Sequence, residues 1–355
     1  MKVSLNCKLD SSGAYGFIKP IADIKEVEEI KVFRDSEAIG GEKIKYYTPR
    51  IRRPALLCQV SKFFQMLSLV SPDVSVSIGI YEIPHGLLAF LIGKIKKIPT
   101  AVCIIGNPGY RKIRKGLRKF LTYFMLRRVE AVTVTGNKSK EILISNGVDP
   151  KKIHILPNSF DVSEFLPKGH EKIYDVISLG YLSPEKKLVS FLRIVNCLRK
   201  RIPTVKAGIA GKGPEREKLE KTIQELSLET NVELLGYVDS ASDYYNSGKV
   251  FVLTSSTEGL PRTVIEAMAC GIPCVVSKVG DIEDLVKNGE NGFVVDDYSN
   301  IEEFVEKIVL LLSDKKQYNR FSQSAALFAR ERYSRRAATD AWKKILREIC
   351  GVNNV

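Results

Sequence analysis

The sequence predicts an α/β protein made of two parallel-sheet domains. Three observations carry that prediction. Short apolar strands alternate with helical patterns through the first half, a second such set begins near Tyr174, and 355 residues suffice for two ordinary domains. A hydrophobic content of 44% can fill both cores, and no segment is low in complexity.

The elements follow in order. Val3 to Cys7 forms the first strand rather than a charged-then-apolar leader, and Gly13-Ala14-Tyr15-Gly16 follows it as a strand-to-helix connection. Val74 to Ile80 is a strand, followed by a helix from about Pro84. Thr100 to Ile105 is a strand, followed by a long basic helix, and Glu130 to Thr135 is a strand, followed by a helix to Asn146. Ile153 to Leu156 closes the first set. Phe160 to Lys172, with Pro167 and Gly169, is read as a linker, giving domains of residues 1–168 and 169–334. In the second set Asp175 to Leu179, Val205 to Ala210, Val232 to Leu234, Val250 to Leu253 and Cys274 to Ser277 are strands, and a last helix holds Trp342, the only tryptophan.

Charge divides the chain unevenly. Residues 1–170 carry 28 Lys+Arg against 15 Asp+Glu, a surplus of 13, whereas residues 171–355 carry 27 against 26. The first half therefore holds the positive field and expects an anionic partner. Between Arg111 and Arg128 lie eight Lys/Arg and no acid. At about 100° per residue, Ile113, Leu117, Phe120, Leu121 and Phe124 share one arc, expected to pack on the sheet. Arg111, Lys112, Arg114, Lys115, Arg118 and Lys119 lie opposite, facing solvent or anionic headgroups. No apolar run approaches the ~20 residues that span a bilayer. Seven scattered cysteines without a Cys-x2-Cys pair suggest buried thiols in a reducing cytoplasm rather than a zinc site.

The densest chemistry lies in Ser255 to Ser277, SSTEGLPRTVIEAMACGIPCVVS. Glu258 and Glu266 bracket seven residues. Pro261 suits a helix start, Val264, Ile265, Met268 and Ala269 form one apolar stripe, and Gly271 suits the helix stop. A helix start offers unpaired N–H groups and a positive dipole end, which suits a phosphate. A carboxylate on either side suits hydroxyls, so the segment reads as a nucleotide-sugar site. The other reading is a solvated helix face with ordinary carboxylates.

This segment resembles the Glu-x7-Glu signature of the family-4 retaining glycosyltransferases, which have the GT-B fold. The resemblance is strong from Tyr174 to about Val295 and rests in the first domain mainly on Ile153 to Phe165. It implies two Rossmann-like domains facing a central cleft, with a final helix, residues 335–355, returning to the first domain. It also implies that Glu258 lies by the donor sugar, that Glu266 binds the ribose, and that the backbone of Gly259, Leu260 and Pro261 holds sugar and phosphate. Lys186, in Pro184-Glu185-Lys186-Lys187, matches the family's diphosphate lysine. Tyr181 stands where relatives carry an arginine, and Arg262 is the candidate second cation. Gly211, in Gly211-Lys212-Gly213-Pro214, matches the turn under the nucleotide and equally suits a plain tight turn. Val238 matches the stretch near the base. Gly13 and Gly16 match a loop that reaches donor phosphate or acceptor. Relatives carry a histidine near the donor sugar; the corresponding region here, around Asn107, has none, and His85 is either its substitute or structural.

No Asp-x-Asp occurs, so the resemblance implies a metal-independent reaction with no cofactor beyond the donor. The expected enzyme moves a sugar from a nucleoside diphosphate sugar to a hydroxyl of a membrane-associated glycan or glycolipid, with retention. It would work in the cytoplasm, peripherally at an anionic inner membrane face, and bind no nucleic acid. A nucleotide-sugar 2-epimerase of the same fold is the alternative; the EGLP and Lys186 loops favour transfer. A nucleic-acid-binding protein would use the basic half but leaves the donor site without a purpose.

Overall fold

A computed structural model describes residues 1–8, 11–36, 41–51, 53–106, 108, 116–169 and 171–351, without the side chains of 11–15. The chain divides into two compact units, Met1–Ser159 with Arg335–Val355, and Phe160–Ser334. This boundary lies before the expected one at 168/169. The reason is packing: Phe160 and Phe165 are buried in the second unit's core beside Tyr245 and Phe251, so the expected linker begins as part of that core.

The strands of the first unit are β1 (Lys2–Cys7), β2 (Glu29–Arg34), β3 (Ile44–Tyr47), β4 (Val76–Ile80), β5 (Thr100–Cys103), β6 (Ala131–Val134) and β7 (Ile153–Ile155). They form one parallel sheet in the order β3-β2-β1-β4-β5-β6-β7. The helices between them are α1 (Ser11–Ala22), α2 (Ala55–Leu69), α3 (Leu87–Lys96), α4 (Gly116–Leu126) and α5 (Asn137–Ser145). Successive strand residues point to opposite faces, and both faces are covered, as a parallel sheet requires. Val3, Leu5, Ile78 and Ala101 pack on Ile18 and Ile21 of α1 and on Trp342 of the last helix, Arg335–Cys350. On the other face Phe33, Val102 and Val132 meet Met66, Leu88, Tyr123 and Leu143 from α2 to α5. The strands β2 and β3 are not foreseen by the sequence reading. Their charged residues pair laterally, Lys45 with Glu29 at 2.7 Å, and break the apolar run that marks a buried strand.

Two expectations fail in this unit. Gly13 and Gly16 do not form a loop: α1 begins at Ser11, so both lie inside the helix. The arc of α4 expected to pack on the sheet faces outward, with Leu117 72% and Phe120 64% exposed. The residues that pack inward are Thr122, Tyr123, Met125 and Leu126.

The second unit contains β8 (Tyr174–Leu179), β9 (Ala207–Ala210), β10 (Val232–Gly236), β11 (Gly248–Leu253), β12 (Cys274–Ser277) and β13 (Gly292–Val295), parallel in the order β10-β9-β8-β11-β12-β13. Its helices are α6 (Leu188–Arg201), α7 (Arg216–Glu225), α8 (Ala241–Asn246), α9 (Arg262–Ala269), α10 (Ile282–Leu285), α11 (Ile301–Ser313) and α12 (Lys315–Tyr333). In both units the strand order reverses beside the first strand, and in such sheets ligands bind outside the strand carboxyl ends at that reversal. In the second unit this point lies between β8 and β11, where Val176 pairs with Val250.

Candidate active site

The site is assembled from the loops that leave β8, β9, β10, β11 and β12. After β8 the chain turns at Gly180 and enters a short 3-10 turn, Pro184–Lys186, which ends with Lys187 in the left-handed conformation at φ 51°. That turn sets Lys186 against the loop after β11. The Lys186 Nζ donates to Glu258 Oε1 at 2.7 Å, and Ser255 Oγ donates to the same oxygen at 2.7 Å. The two loops are tied by backbone as well: Ser256 N donates to Glu185 O at 2.8 Å, and Thr254 Oγ1 to Lys186 O at 2.9 Å. Gly180, Tyr181, Lys186, Ala210, Thr254 and Ser255 line one small pocket at these strand ends.

Pro261 precedes the first turn of α9 rather than opening it, with φ −70° and ψ 114°. Without an N–H it gives up no bond there, and Arg262 becomes the first helical residue. Glu266 stands one turn later, which puts its carboxylate within reach of Arg262. Arg262 Nε donates to Glu266 Oε1 at 2.7 Å and Tyr245 OH donates to Oε2 at 3.0 Å. Burial pushes the Glu266 carboxyl above its ordinary range, against the pull of Arg262 and the Tyr245 hydroxyl. The helix ends as expected, with Gly271 at φ 73°, Gly271 N on Met268 O and Ile272 N on Ala267 O. Each motif glutamate thus has a cation of its own, Lys186 for one and Arg262 for the other.

The remaining turns pack backbone on backbone. Gly211 has φ 140°, and a Cβ there would lie 1.8 Å from Gly180 O. Its N–H donates to Gly236 O at 2.6 Å. The loop after β12 closes over the motif loop, with Asp281 N donating to Gly259 O at 2.8 Å. A Cβ at Gly280 would meet Glu258 O at 2.2 Å. Among the described residues no cluster of three His, Cys, Asp or Glu could hold a metal ion.

Residues 163–328 match the family model of glycosyl transferases group 1, and residues 38–159 match that of a glycosyl transferase 4-like domain. Residues 163–328 thus resemble a group 1 glycosyltransferase domain, and the chain is a glycosyltransferase. An uncharacterized glycosyltransferase of Haemophilus influenzae is 34% identical over 191 residues, 54% of this chain and 53% of that protein. The UDP-Gal:alpha-D-GlcNAc-diphosphoundecaprenol alpha-1,3-galactosyltransferase of Escherichia coli is 28% identical over 288 residues, 74% of each chain. The chain thus spans about half the length of the first relative and three quarters of the second. The crystal structure of Anabaena Alr3699/HepE in complex with UDP and glucose superimposes with a TM-score of 0.80 at 17% identity, covering 98% of this chain and 99% of that one. That likeness is one of fold, and the fold is GT-B, two Rossmann-like parallel-sheet units.

Within this glycosyltransferase, Glu258, Lys186, Gly259, Leu260, Pro261, Arg262 and Glu266 come together in the second unit, with Gly211 in the turn beneath Gly180. Val238 packs partly buried on the same core. Tyr181 is exposed beside Lys186 in the pocket lining. In the first unit His85 is buried at the end of β4, and burial with the nearby Lys62 charge pushes its pKa down to about 4, so the ring is neutral at pH 7. Arg118 and Lys119 are exposed on α4, with Arg118 donating to Ile83 O at 3.0 Å. Asn107, Arg111, Lys112, Arg114 and Lys115 lie outside the described residues. The sequence reading missed Ser255, Tyr245 and Gly280. Ser255, three residues before Glu258, has the spacing of a local hydrogen bond and was legible; Tyr245, 21 residues before Glu266, was not.

Proposed function

We propose that this glycosyltransferase moves a sugar from a nucleoside diphosphate sugar to a hydroxyl of a membrane-associated glycan or glycolipid, with retention of anomeric configuration and without a metal ion. The observation that carries the reading is the pairing of Lys186 with Glu258 at the mouth of the loop before α9. Lys186 has three donors and spends one on Glu258. The others suit a diphosphate lying over the amides at the α9 start, where the dipole adds to the cation. Glu258 then faces the sugar hydroxyls and Glu266 the ribose, each charged hydrogen bond contributing roughly 1.5–3 kcal/mol.

The reaction follows from this charge arrangement. The bond from the anomeric carbon to the diphosphate oxygen breaks as Lys186 and the helix start take up the leaving charge. The acceptor oxygen bonds to the same face of that carbon, and its proton passes to the departing diphosphate oxygen. Because cation and dipole neutralise the diphosphate, no metal ion is required. The acceptor and an anionic inner membrane surface fall to the first unit, which carries the charge surplus; among the described residues no helix is long and apolar enough to cross a membrane. In this reading the enzyme works in the cytoplasm, peripheral to that surface.

UDP is the first base to test, because the Escherichia coli relative and the HepE complex are named with it. A panel of nucleotide sugars, scored by thermal shift and by slow donor hydrolysis, tests the reading. One donor should stand out, and its turnover should persist in excess chelator. Absence of any nucleotide binding overturns the donor reading; metal-reversible loss of turnover overturns metal independence.

A further inference from the structure

We propose that the outer face of the α2–α3–α4 layer is a membrane-docking surface that inserts apolar side chains among anionic lipids. This deepens the membrane reading above and rests on it for the acceptor, but not for the docking itself. A covering helix ordinarily buries one apolar stripe and turns polar residues outward. Here α2 and α4 are apolar on both sides. In α2 the inward stripe is Cys58 and Met66 with a buried Lys62 paired to Asp35, and the apolar stripe about 200° away, Leu57, Val60 and Phe64, is exposed. Leu56 is 75% and Phe64 61% exposed. In α4, Leu117, Phe120 and Phe124 likewise stand outward opposite Met125 and Leu126. Between them α3 packs on both helices and exposes Leu91 and Ile95. The three helices cover the same sheet face, so their exposed apolar residues stand on one side of the unit, with the Arg128 guanidinium over the Phe124 ring. Beside α2 this side opens into a groove of about 600 Å³ lined by Arg50, Ile51, Leu57, Val60, Phe64 and Leu69.

Charge selects the occupant. Residues 43–72 contain six Lys/Arg and residues 83–129 contain eleven, and neither stretch has an Asp or Glu. Of these, Arg50, Arg53, Lys94, Lys97, Arg118 and Lys119 are exposed around the apolar residues. Lys94 is paired with Glu130 at 3.4 Å, and the other cations form a rim that would repel a second copy of the same face. It suits anionic headgroups, while Phe and Leu side chains enter the acyl boundary, which is the composition of an interfacial helix. The expected tether therefore acts through apolar side chains as well as cations. That makes docking only partly sensitive to salt, because screening weakens the cations alone.

The test uses the full chain and vesicles of phosphatidylcholine with and without phosphatidylglycerol. Wild type should sediment with anionic vesicles at low salt and keep part of that binding at about 1 M salt, where the Debye length is only ~3 Å. Leu56→Gln, Phe64→Gln, Leu117→Gln and Phe120→Gln together should weaken binding by ~10-fold or more, four interfacial side chains being withdrawn. The sites are exposed, so the thermal midpoint and nucleotide binding should hold. The fluorescence of a Phe120→Trp variant should be quenched by brominated acyl chains; Trp342 is buried and serves as the internal control. Binding that vanishes in salt, ignores the four substitutions and leaves the introduced indole unquenched overturns the proposal. So does a wild-type dimer that the four substitutions dissociate, since a second copy then covers the face. Failure here with nucleotide binding intact leaves the donor reading standing, and loss of nucleotide binding alone leaves docking standing.

Discussion

In the second unit the groups that matter are packed into loops at strand carboxyl ends, where Lys186, Glu258, Arg262 and Glu266 meet partners at 2.7 Å. In the first unit Arg34 and Lys62 are buried, whereas Arg50, Arg53, Lys94, Lys97, Arg118 and Lys119 stand exposed beside Phe64, Leu117 and Phe120. Both units use the same sheet plan. In the proposed reading one unit uses its loops for a small charged ligand, which needs fixed donors at short range, and the other presents a broad face, which needs area and field rather than geometry. A parallel sheet covered on both sides permits this division, because neither its loops nor the outer helix faces are needed to fill the core.

The largest effect expected from this contrast is on turnover. Lys186→Ala removes the cation that would take the leaving charge and leaves Glu258 without its ion-pair partner. Removing one such preorganised donor lowers kcat by ~10²–10³. The variant should still bind anionic vesicles as wild type does, since the outer helix face belongs to the other unit. Single-turnover kinetics on the donor found in the panel decides the first point, and unchanged kcat would remove Lys186 from the reaction.

A glycine pair sharpens the comparison on the scale of stability. Gly211 sits at φ 140° with a Cβ position 1.8 Å from a backbone oxygen, whereas Gly116, opening α4, sits at φ 59° with nothing described within 4 Å. Gly211→Ala must displace the Gly180 turn or strain its own backbone, at a cost of about 3 kcal/mol or more. Gly116→Ala meets only the left-handed preference, about 1 kcal/mol. For the unit that carries each glycine, the thermal midpoint should fall by roughly 6–12 °C in the first case and about 2–4 °C in the second. Equal shifts would mean that the turn beneath the site is not set by backbone contact.

These two glycines also mark what was legible. Local signals were: the Glu-x7-Glu spacing, the Gly271 stop and the alternation of strands and helices are all written within a few residues of where they act. Contacts across elements were not. Nothing near Gly211 names Gly180 as its neighbour, and nothing near Glu266 names Tyr245. The α4 stripe failed for a related reason. Periodicity gives the direction of an apolar arc around a helix but not which side the sheet lies on, and α4 offers a second inward set in Thr122, Tyr123, Met125 and Leu126. The domain boundary shifted because Phe160 and Phe165, read as linker, found a core to enter.

The smallest expected effect concerns Glu266, and it separates a buried site from a solvated surface. Burial raises its carboxyl above the ordinary 4.5 despite Arg262 and Tyr245. The folded protein then binds more protons at this group than the unfolded chain does. Its contribution to stability is fully present below about pH 4.5 and is lost as pH rises through the raised folded value. Glu266→Gln removes the titration while keeping the shape. The stability of wild type minus that of the variant should therefore fall as pH rises from about 4.5 through the raised folded value, whatever its absolute size. Denaturant unfolding of both proteins across that range measures it. Lys119→Gln, at an exposed cation on α4 in the first unit, is the surface control for the same measurement. A difference that rises with pH at Glu266 would mean that the Arg262 pair outweighs burial, and that the carboxylate is held ionised for its partner as firmly as a surface one.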